Sequence, residues 1–370
     1  MTYTLVCPCV FGLEKTVAFE LKKCGGENVR CENGRVLCEG DALVVARANL
    51  QSRCAERVLL LMAEFDAHSF EDLYQGTKAV NWADYIPQNG AFPVKGWSLN
   101  SQLTSIPDCQ SIVKKAMVDK LKETYDVFWF AESGETYQVQ FGILKDRVQL
   151  MLDTSGEGLH KRGYRKYSGG APIKETLAAG IVDLARIREG DYVFDPCCGS
   201  GTLLIEAALK ALNIAPGLYR SFSCEKWKTF DQNAFMTARK EAITAINKDA
   251  EFEAYGYDID PAMVKLTLEN AKHAGVERCI KAEVCDIAKN RVKDEGGILL
   301  CNPPYGERML EKTDARKLYK DLGVFAKNNQ FKSYIITSDE EFERHFGAKA
   351  DRKRKLYNGE LKCQLYMYYK

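Results

Sequence analysis

The stretch that decides the fold is Asp195-Pro196-Cys197-Cys198-Gly199-Ser200-Gly201-Thr202. Residues 191–194 before it predict a short strand, and the apolar residues 203–209 after it are good helix formers. A strand therefore meets a glycine-containing turn that opens a helix, where backbone amides can approach a ligand closely. The turn lacks the third glycine of a dinucleotide-binding fingerprint, so the sequence favours another kind of cofactor.

Three further apolar runs, at residues 254–257, 282–285 and 297–301, predict buried strands. Ligands of open α/β sheets bind outside the carboxyl ends of the strands, so polar residues that follow such strands are expected to share one cleft. An isolated aspartate at a strand end is usually only a turn or cap residue, and the ordered series is what indicates a site. The four expected cleft residues are Asp195, Asp258, Asp286 and Asn302.

The last of these strands ends in Asn302-Pro303-Pro304-Tyr305. Two prolines fix the backbone and remove two amide donors, which leaves carbonyl oxygens beside an asparagine amide. These oxygens can accept hydrogen bonds from a flat exocyclic amine, and the tyrosine ring can stack on the base that carries the amine. The alternative is a rigid turn that only ends the strand.

The first 160 residues have a different pattern. A strand at 4–7 and a helix at 12–24 precede the Asn33-Gly34 turn, which predicts a hairpin. A helix from Asp41 and a strand at 57–65 complete a ferredoxin-like order. Residues 69–158 predict a second small α+β unit, which begins with a helix capped at Ser69 and closes with a hairpin.

A basic segment joins these units to the strand–turn–helix. Residues 159–174 contain five basic residues, no acidic residue and two tyrosines, a mixture that suits phosphate contact and base stacking. An ordinary solvated linker is the alternative. The residues that we expect to contact nucleic acid are Lys161, Arg162, Tyr164, Arg165 and Lys166.

Composition narrows the class of protein. Lys and Arg total 52 against 51 Asp and Glu, so any basic surface must be local. No apolar run reaches membrane-spanning length, and no basic segment opens the chain, so we expect no membrane partner. Fourteen cysteines without a secretory signal predict reduced thiols and a cytoplasmic protein. The four scattered histidines and the lack of a C-x-x-C pair argue against a metal site.

Taken together, these motifs resemble those of the THUMP-domain guanine-N2 RNA methyltransferases. The resemblance covers the whole chain and rests on the ferredoxin-like start, a THUMP-type unit and the segments that begin at His160, Ala171, Asp195 and Asn302. It is closest to the N-terminal half of the bifunctional bacterial ribosomal RNA enzymes. In those enzymes a second methyltransferase domain follows, and we expect its activity to be absent here.

The resemblance implies an α/β fold, a Rossmann-like class I methyltransferase domain at 161–370 preceded by α+β ferredoxin-like (1–66) and THUMP (67–160) domains. It implies S-adenosyl-L-methionine as cofactor and methyl transfer to the 2-amino group of a guanosine in structured RNA, with large-subunit ribosomal RNA favoured. Asn302, Pro303 and Tyr305 would be catalytic. The cofactor-binding residues would be Asp195, Pro196, Gly199, Gly201, Thr202, Asp258, Ile259, Asp286, Ile287 and Asn302.

Several alternatives stay open at this point. A tRNA guanine-N2 enzyme shares the layout, and an N6-adenine DNA methyltransferase shares the amine chemistry. A non-catalytic RNA-binding protein is a third possibility, against which the intact motifs argue. The 63 positions between Asp195 and Asp258 exceed what one helix needs, so residues 213–250 are an insertion. It contains several aromatic residues, and its second half is helical in pattern, so we expect a helix packed on the sheet face; direct contact with the substrate is the alternative.

Overall fold

The computed structural model describes residues 1–165, 172–289, 296–305 and 309–369. Its N-terminal part is one sheet of seven strands in the order β2-β3-β1-β4-β7-β6-β5. The strands are β1 (Tyr3–Pro8), β2 (Glu27–Glu32), β3 (Arg35–Gly40), β4 (Leu59–Asp66), β5 (Val94–Leu99), β6 (Val139–Leu144) and β7 (Arg147–Asp153). The helices are α1 (Glu14–Lys23), α2 (Ala42–Gln51), α3 (Phe70–Lys78) and α4 (Ile106–Tyr125).

Local sequence explains these elements. Gly34 has φ of +73° in the turn between β2 and β3, which glycine adopts readily. Asp41 caps α2 by accepting the Val44 amide, and Ser69 and Asp72 form a capping box at the start of α3. The ferredoxin-like unit and the THUMP unit are not separate layers, because β4 pairs with β7 along its whole length.

The second sheet also has seven strands, in the order β10-β9-β8-β11-β12-β14-β13. Strands β8 to β12 are parallel, and β14 is antiparallel to both β12 and β13. The strands are β8 (Tyr192–Asp195), β9 (Glu253–Asp258), β10 (Ile280–Val284), β11 (Ile298–Cys301), β12 (Lys332–Thr337), β13 (Arg352–Asn358) and β14 (Leu361–Tyr368). The helices are α5 (Glu175–Leu184), α6 (Thr202–Ala211), α7 (Gln232–Thr244), α8 (Pro261–His273), α9 (Met309–Asn328) and α10 (Phe342–Phe346).

Helices cover both faces of this sheet, as the Rossmann-like prediction requires. Val193 belongs to the core beneath α5, α6 and α8, whereas its neighbour Phe194 belongs to the core beneath α9 and α10. Strand residues that alternate between two buried faces explain why the strands form short continuous apolar runs in the sequence. None of the described helices is long and apolar enough to cross a membrane.

The insertion at 213–250 packs elsewhere than the sequence predicts. It does contain a helix, α7, but this helix lies against α2 of the ferredoxin-like unit and not on the catalytic sheet. Arg47 on α2 donates to both carboxylate oxygens of Glu241 on α7, at 2.8 and 2.7 Å. Trp227 stacks on Tyr137 of the THUMP unit with ring centroids 4.9 Å apart. The insertion, which belongs to the catalytic domain in sequence, therefore packs against both N-terminal units and connects them to that domain.

Candidate active site

Four strand ends meet at one edge of the catalytic sheet. Strand β8 lies between β9 and β11, and the chain moves from β8 to β9 on one side and reaches β11 on the other. The crevice between β8 and β11 is therefore the switch point of the sheet, where ligands of such folds bind. Asp195 and Asn302 line it together with Gly199, Ser200 and Thr202.

The glycine turn has a backbone that other residues would not adopt readily. Gly199 and Gly201 have φ of +52° and +77°. A Cβ on Gly201 would lie 2.7 Å from the Thr267 side chain, whereas one on Gly199 would meet no atom within 4 Å. The turn therefore packs tightly against α8 at Gly201, whereas the space beside Gly199 is empty of protein atoms and can admit a ligand.

Two side chains of α8 hold the turn in place. The Thr267 hydroxyl donates to the Gly199 carbonyl at 2.8 Å, and the Asn270 amide donates to the Ser200 carbonyl at 2.9 Å. Both side chains are buried. With these carbonyls tied to α8, the shape of the turn is fixed before a ligand arrives.

Asp258 links the turn to the next strand. Its Oδ2 accepts the Gly199 amide at 3.0 Å and its Oδ1 accepts the Asp260 amide at 3.0 Å. A carboxylate oxygen can accept more than one hydrogen bond, so Asp258 retains capacity for ligand hydroxyls. Ile259 follows with 74% of its surface exposed, which is unusual for a residue of its size and apolarity.

Asp195 is almost completely buried at the end of β8. Its Oδ1 accepts the Cys197 amide at 3.1 Å. Burial raises the pKa of Asp195 to about 8, the Cys197 amide partly offsets this rise, and the nearby Asp258 charge adds to it. Asp195 therefore keeps its proton at neutral pH more readily than an exposed carboxyl group does.

The turn after β11 brings Asn302 and Tyr305 together. The Tyr305 hydroxyl donates to Asn302 Oδ1 at 2.6 Å. Tyr319 of α9 donates to the Pro304 carbonyl at 3.2 Å and so holds the turn from below. Within the described residues no donor reaches the Pro303 carbonyl, and Pro303 itself is buried.

Comparison with known proteins places this geometry in a family. A model of the RMKL-like methyltransferase domain matches residues 162–367. The chain belongs to the RMKL-like methyltransferases. Models of the RlmL ferredoxin-like domain and of the THUMP domain match residues 4–59 and 67–153 of the same chain. The fold class and the family predicted from the motifs are both confirmed.

Individual proteins that resemble this chain in sequence or structure are named as methyltransferases as well. YpsC of Bacillus subtilis, named as an RNA methyltransferase, is 44% identical over 99% of this chain and 96% of its own length. The ribosomal RNA large subunit methyltransferase K/L of Psychromonas ingrahamii is 35% identical over 98% of this chain, which spans 49% of that enzyme. The structure of the methyltransferase SMU.472 in complex with S-adenosylhomocysteine (SAH) matches with a TM-score of 0.93 and 39% identity, over 100% of this chain and 98% of that one.

The methyl donor of this RMKL-like methyltransferase is S-adenosylmethionine, of which SAH is the product after methyl transfer. The cleft fits such a cofactor on its own geometry. It offers an open backbone turn at Gly199, an acidic residue with spare acceptor capacity at Asp258, and an exposed apolar side chain at Ile259. Pro196 and Thr202 are buried within the turn and shape it.

Two other predicted cleft residues also have contacts within the fold. Asp286 Oδ1 accepts the Ala288 amide at 3.0 Å, so one of its oxygens shapes the turn after β10. Ile287 packs in the core with Phe194 and is only 7% exposed, so its side chain has little surface to offer an adenine. Val284, which the sequence interpretation missed, is 55% exposed at the end of β10. No pattern in the strand itself distinguished it.

Two of the residues expected to contact nucleic acid are buried, and the prediction for them is wrong. Arg162 lies against Glu206 with Nε 3.4 Å from Oε1, and Tyr164 donates to the same oxygen at 3.1 Å. Both side chains lie between the N-terminal units and the catalytic domain, where neither a phosphate nor a base can reach them.

Arg165 is also mostly enclosed, and it contacts the cofactor turn instead of solvent. It donates to Thr202 Oγ1 at 2.5 Å and to the Ile173 carbonyl at 3.1 Å. Lys161 is exposed but pairs with Glu157 at 3.0 Å. Lys166 lies outside the described residues. The basic run therefore serves mainly as a joint between domains.

We propose that Asp258 accepts the ribose hydroxyls of the cofactor. Asp258→Asn should then weaken S-adenosylmethionine binding at least tenfold in titration calorimetry, because hydrogen bonds to a charged acceptor contribute about 1.5–3 kcal/mol each. Asp260→Asn is the matched control, since Asp260 carries the same charge two positions away but caps α8. Equal cofactor affinity in the two variants would remove Asp258 from the site.

Asp195 should make the stability of the ligand-free protein depend on pH. Its pKa in the folded protein, about 8, lies above the ordinary value of 3.8, so the folded state holds this proton more tightly than the unfolded state does. The resulting stability is complete below the ordinary pKa and is lost as pH rises through about 8. Between pH 6 and about 8 the melting temperature of the wild type should therefore fall more steeply than that of Asp195→Asn. Parallel pH profiles would contradict the assignment.

Proposed function

We propose that this enzyme transfers the methyl group of S-adenosylmethionine to the exocyclic 2-amino group of a guanosine, with large-subunit ribosomal RNA as substrate. The observation that carries the proposal is the position of Asn302, which lines the cleft beside the cofactor turn; we infer that its Oδ1 and the Pro303 carbonyl are the two acceptors of the amine. The names of the relatives support RNA as the substrate class, and the K/L enzyme supports large-subunit ribosomal RNA.

The 2-amino group of guanine is a poor nucleophile because its lone pair is delocalised into the ring. Bound S-adenosylmethionine supplies an electrophilic methyl group on sulfur. Asn302 and Pro303 would accept the two N–H bonds of the amine and hold its lone pair towards that methyl group. They would also favour the tetrahedral amine of the transition state, which combines positioning with preorganised electrostatics. The amine becomes acidic as it gains the methyl group, so no strong base is needed.

The ring and the hydroxyl group of Tyr305 each have a part in the proposed mechanism. We propose that its ring stacks on a guanine turned out of the RNA, as a base must be turned out before its amine is reached. Its hydroxyl already donates to Asn302 Oδ1, which has a second lone pair for the substrate amine. Tyr305 would thus also fix the rotation of the Asn302 amide, so that oxygen and not nitrogen faces the substrate.

The N-terminal units are the reason to favour RNA. Methyl transfer itself needs only the catalytic domain, so a continuous sheet of about 150 residues ahead of it calls for another role. A folded RNA presents shape, phosphates and 2′-hydroxyls that such a module can recognise, with the target base exposed in a loop or at a helix end. A duplex DNA substrate would leave this module without an explanation.

Asn302→Ala should separate catalysis from cofactor binding. Turnover should fall by roughly a hundredfold or more, as on removal of one preorganised transition-state interaction, while the cofactor dissociation constant changes little. Single-turnover methylation and calorimetry on the same preparation measure both. A variant with near-normal turnover would show that Asn302 does not hold the amine.

The substrate is tested with labelled S-adenosylmethionine and four acceptors: naked large-subunit ribosomal RNA, ribosomal particles, bulk tRNA and duplex DNA. Label should appear in ribosomal RNA, and mass analysis of its nucleosides should give N2-methylguanosine. Label in tRNA guanosine would keep the reaction and change the RNA. Comparable methylation of DNA adenine would overturn the proposal.

A further inference from the structure

The strongest local concentration of positive charge lies on β13, the last strand of the catalytic sheet. Its first four residues, 352–355, are all Arg or Lys, although the whole chain has a net charge of only +1. Within the described residues no strand lies beyond β13. The charges therefore stand on an open edge of the catalytic domain.

Among the described residues, only one of these four side chains, that of Lys353, is in an ion pair. Lys353 pairs with Glu343 at 2.8 Å, and Arg354 donates to the Gly12 carbonyl at 2.8 Å. Arg352 and Lys355 are exposed, and no carboxylate in the described part of the chain pairs with either. Arg352 and Arg354 project from the sheet face of Leu356, and Lys355 projects from the opposite face with Tyr357, because side chains alternate along a strand. The open edge between the two faces therefore carries cations on both sides that are available to an anionic partner.

The strand runs towards the active site. β13 is antiparallel to β14, which is antiparallel to β12, so the end of β13 lies at the same edge of the sheet as Asn302. Leu356 near the end of β13 pairs with Cys363 on β14, and the Cys363 Sγ lies 3.8 Å from the Tyr305 hydroxyl. A partner strand that lies along β13 from its first to its last residue therefore reaches the turn at Asn302.

Two aromatic rings lie along this path. Tyr357 on β13 and Phe11 of the ferredoxin-like unit meet edge to face, with centroids 6.5 Å apart. Half of the Phe11 surface is exposed, and Lys355 Nζ lies 5.3 Å from the centre of the Tyr357 ring. Exposed rings beside cations can take up unpaired bases while the cations contact phosphates.

We propose that the β13 surface, defined as the open edge of β13 with Arg352 on one side, Lys355 and Tyr357 on the other and Phe11 beside Tyr357, binds the RNA strand that leads into the active site. The inference rests on the proposed function, since it takes RNA as the substrate. It also gives the joint between domains a purpose, because Phe11 comes from the N-terminal units and Tyr357 from the catalytic domain. One RNA strand would touch both parts before its target base reaches Asn302.

Basic residues on an edge strand have an ordinary role as well, because they prevent the edge from pairing with another molecule. Charge reversal separates the two roles. Glutamate at these positions protects an edge as lysine does, but it repels phosphate. The rings at the upper end of the strand are not needed for edge protection.

The test compares Arg352→Glu/Lys355→Glu with Lys248→Glu/Lys272→Glu, which makes the same charge change at two exposed lysines beside α7 and α8. Binding to naked large-subunit ribosomal RNA and to bulk tRNA is measured by filter retention across a range of salt concentrations. The β13 variant should bind at least about tenfold more weakly than the control variant, with a salt slope smaller by roughly 0.7–0.9 for each phosphate that the variant no longer neutralises. Phe11→Ala should weaken binding without changing the salt slope, because stacking releases no counterions.

Three control measurements on each variant test whether it is folded and free of aggregates. Cofactor affinity, melting temperature and elution volume should match the wild type in every variant, which excludes misfolding and aggregation. If the wild type methylates RNA and the β13 variant binds it as the control does, the surface is wrong while the proposed function stands. If the wild type neither binds nor methylates any RNA, the proposed function fails and the surface fails with it.

Discussion

A buried ion pair between Arg162 and Glu206 holds the molecule in its working arrangement. Glu206 is fully buried on α6, and the side chain of Arg162 is 3% exposed. Arg162 also donates to the Arg53 carbonyl of the ferredoxin-like unit and to the Leu159 carbonyl. Loss of one partner of such a pair leaves a buried charge unpaired, at a cost of about 3–5 kcal/mol. The relative orientation of the N-terminal units and the catalytic domain is therefore fixed by a contact that tolerates little displacement.

This pair also reaches the cofactor turn. Glu206 lies one helical turn after Thr202, the first residue of α6, and Arg165 donates to the Thr202 hydroxyl. On the other side of the domain interface, Arg53 donates to the Leu209 carbonyl in the last turn of the same helix and to the Ile214 carbonyl just beyond its end. Hydrogen bonds therefore hold α6 at both ends, from Arg165 at its start and from Arg53 at its end, and both residues precede the catalytic sheet in the sequence. A displacement of the N-terminal units would move the helix whose start forms the cofactor turn.

The sequence predicted the strand ends and turns at the carboxyl edge of the catalytic sheet because short-range chemistry determines them. Glycine at positive φ, proline at the start of α8, and polar residues after apolar runs act over a few positions, so Gly201, Pro261 and Asn302 could be placed from local pattern alone. The contacts that tie these segments together could not be placed in that way. Thr267 and Asn270 lie on α8, and nothing in a helical pattern indicates that they hold the turn after β8.

The basic segments show where composition misleads. A run of charges is typical of a solvated surface, yet Arg162 is buried. Its partner there, Glu206, is 44 positions away in the sequence, so the basic segment itself does not indicate the burial. The informative residue was Glu206, a carboxylate in the otherwise apolar run 203–209, since a buried charge requires a partner. Residues 352–355 carry four positive charges, and only strand order places them on an open edge strand whose far end approaches the catalytic turn. Whether a basic residue joins two domains or meets a polyanion is decided by the carboxylate opposite it, which a single segment of sequence does not contain.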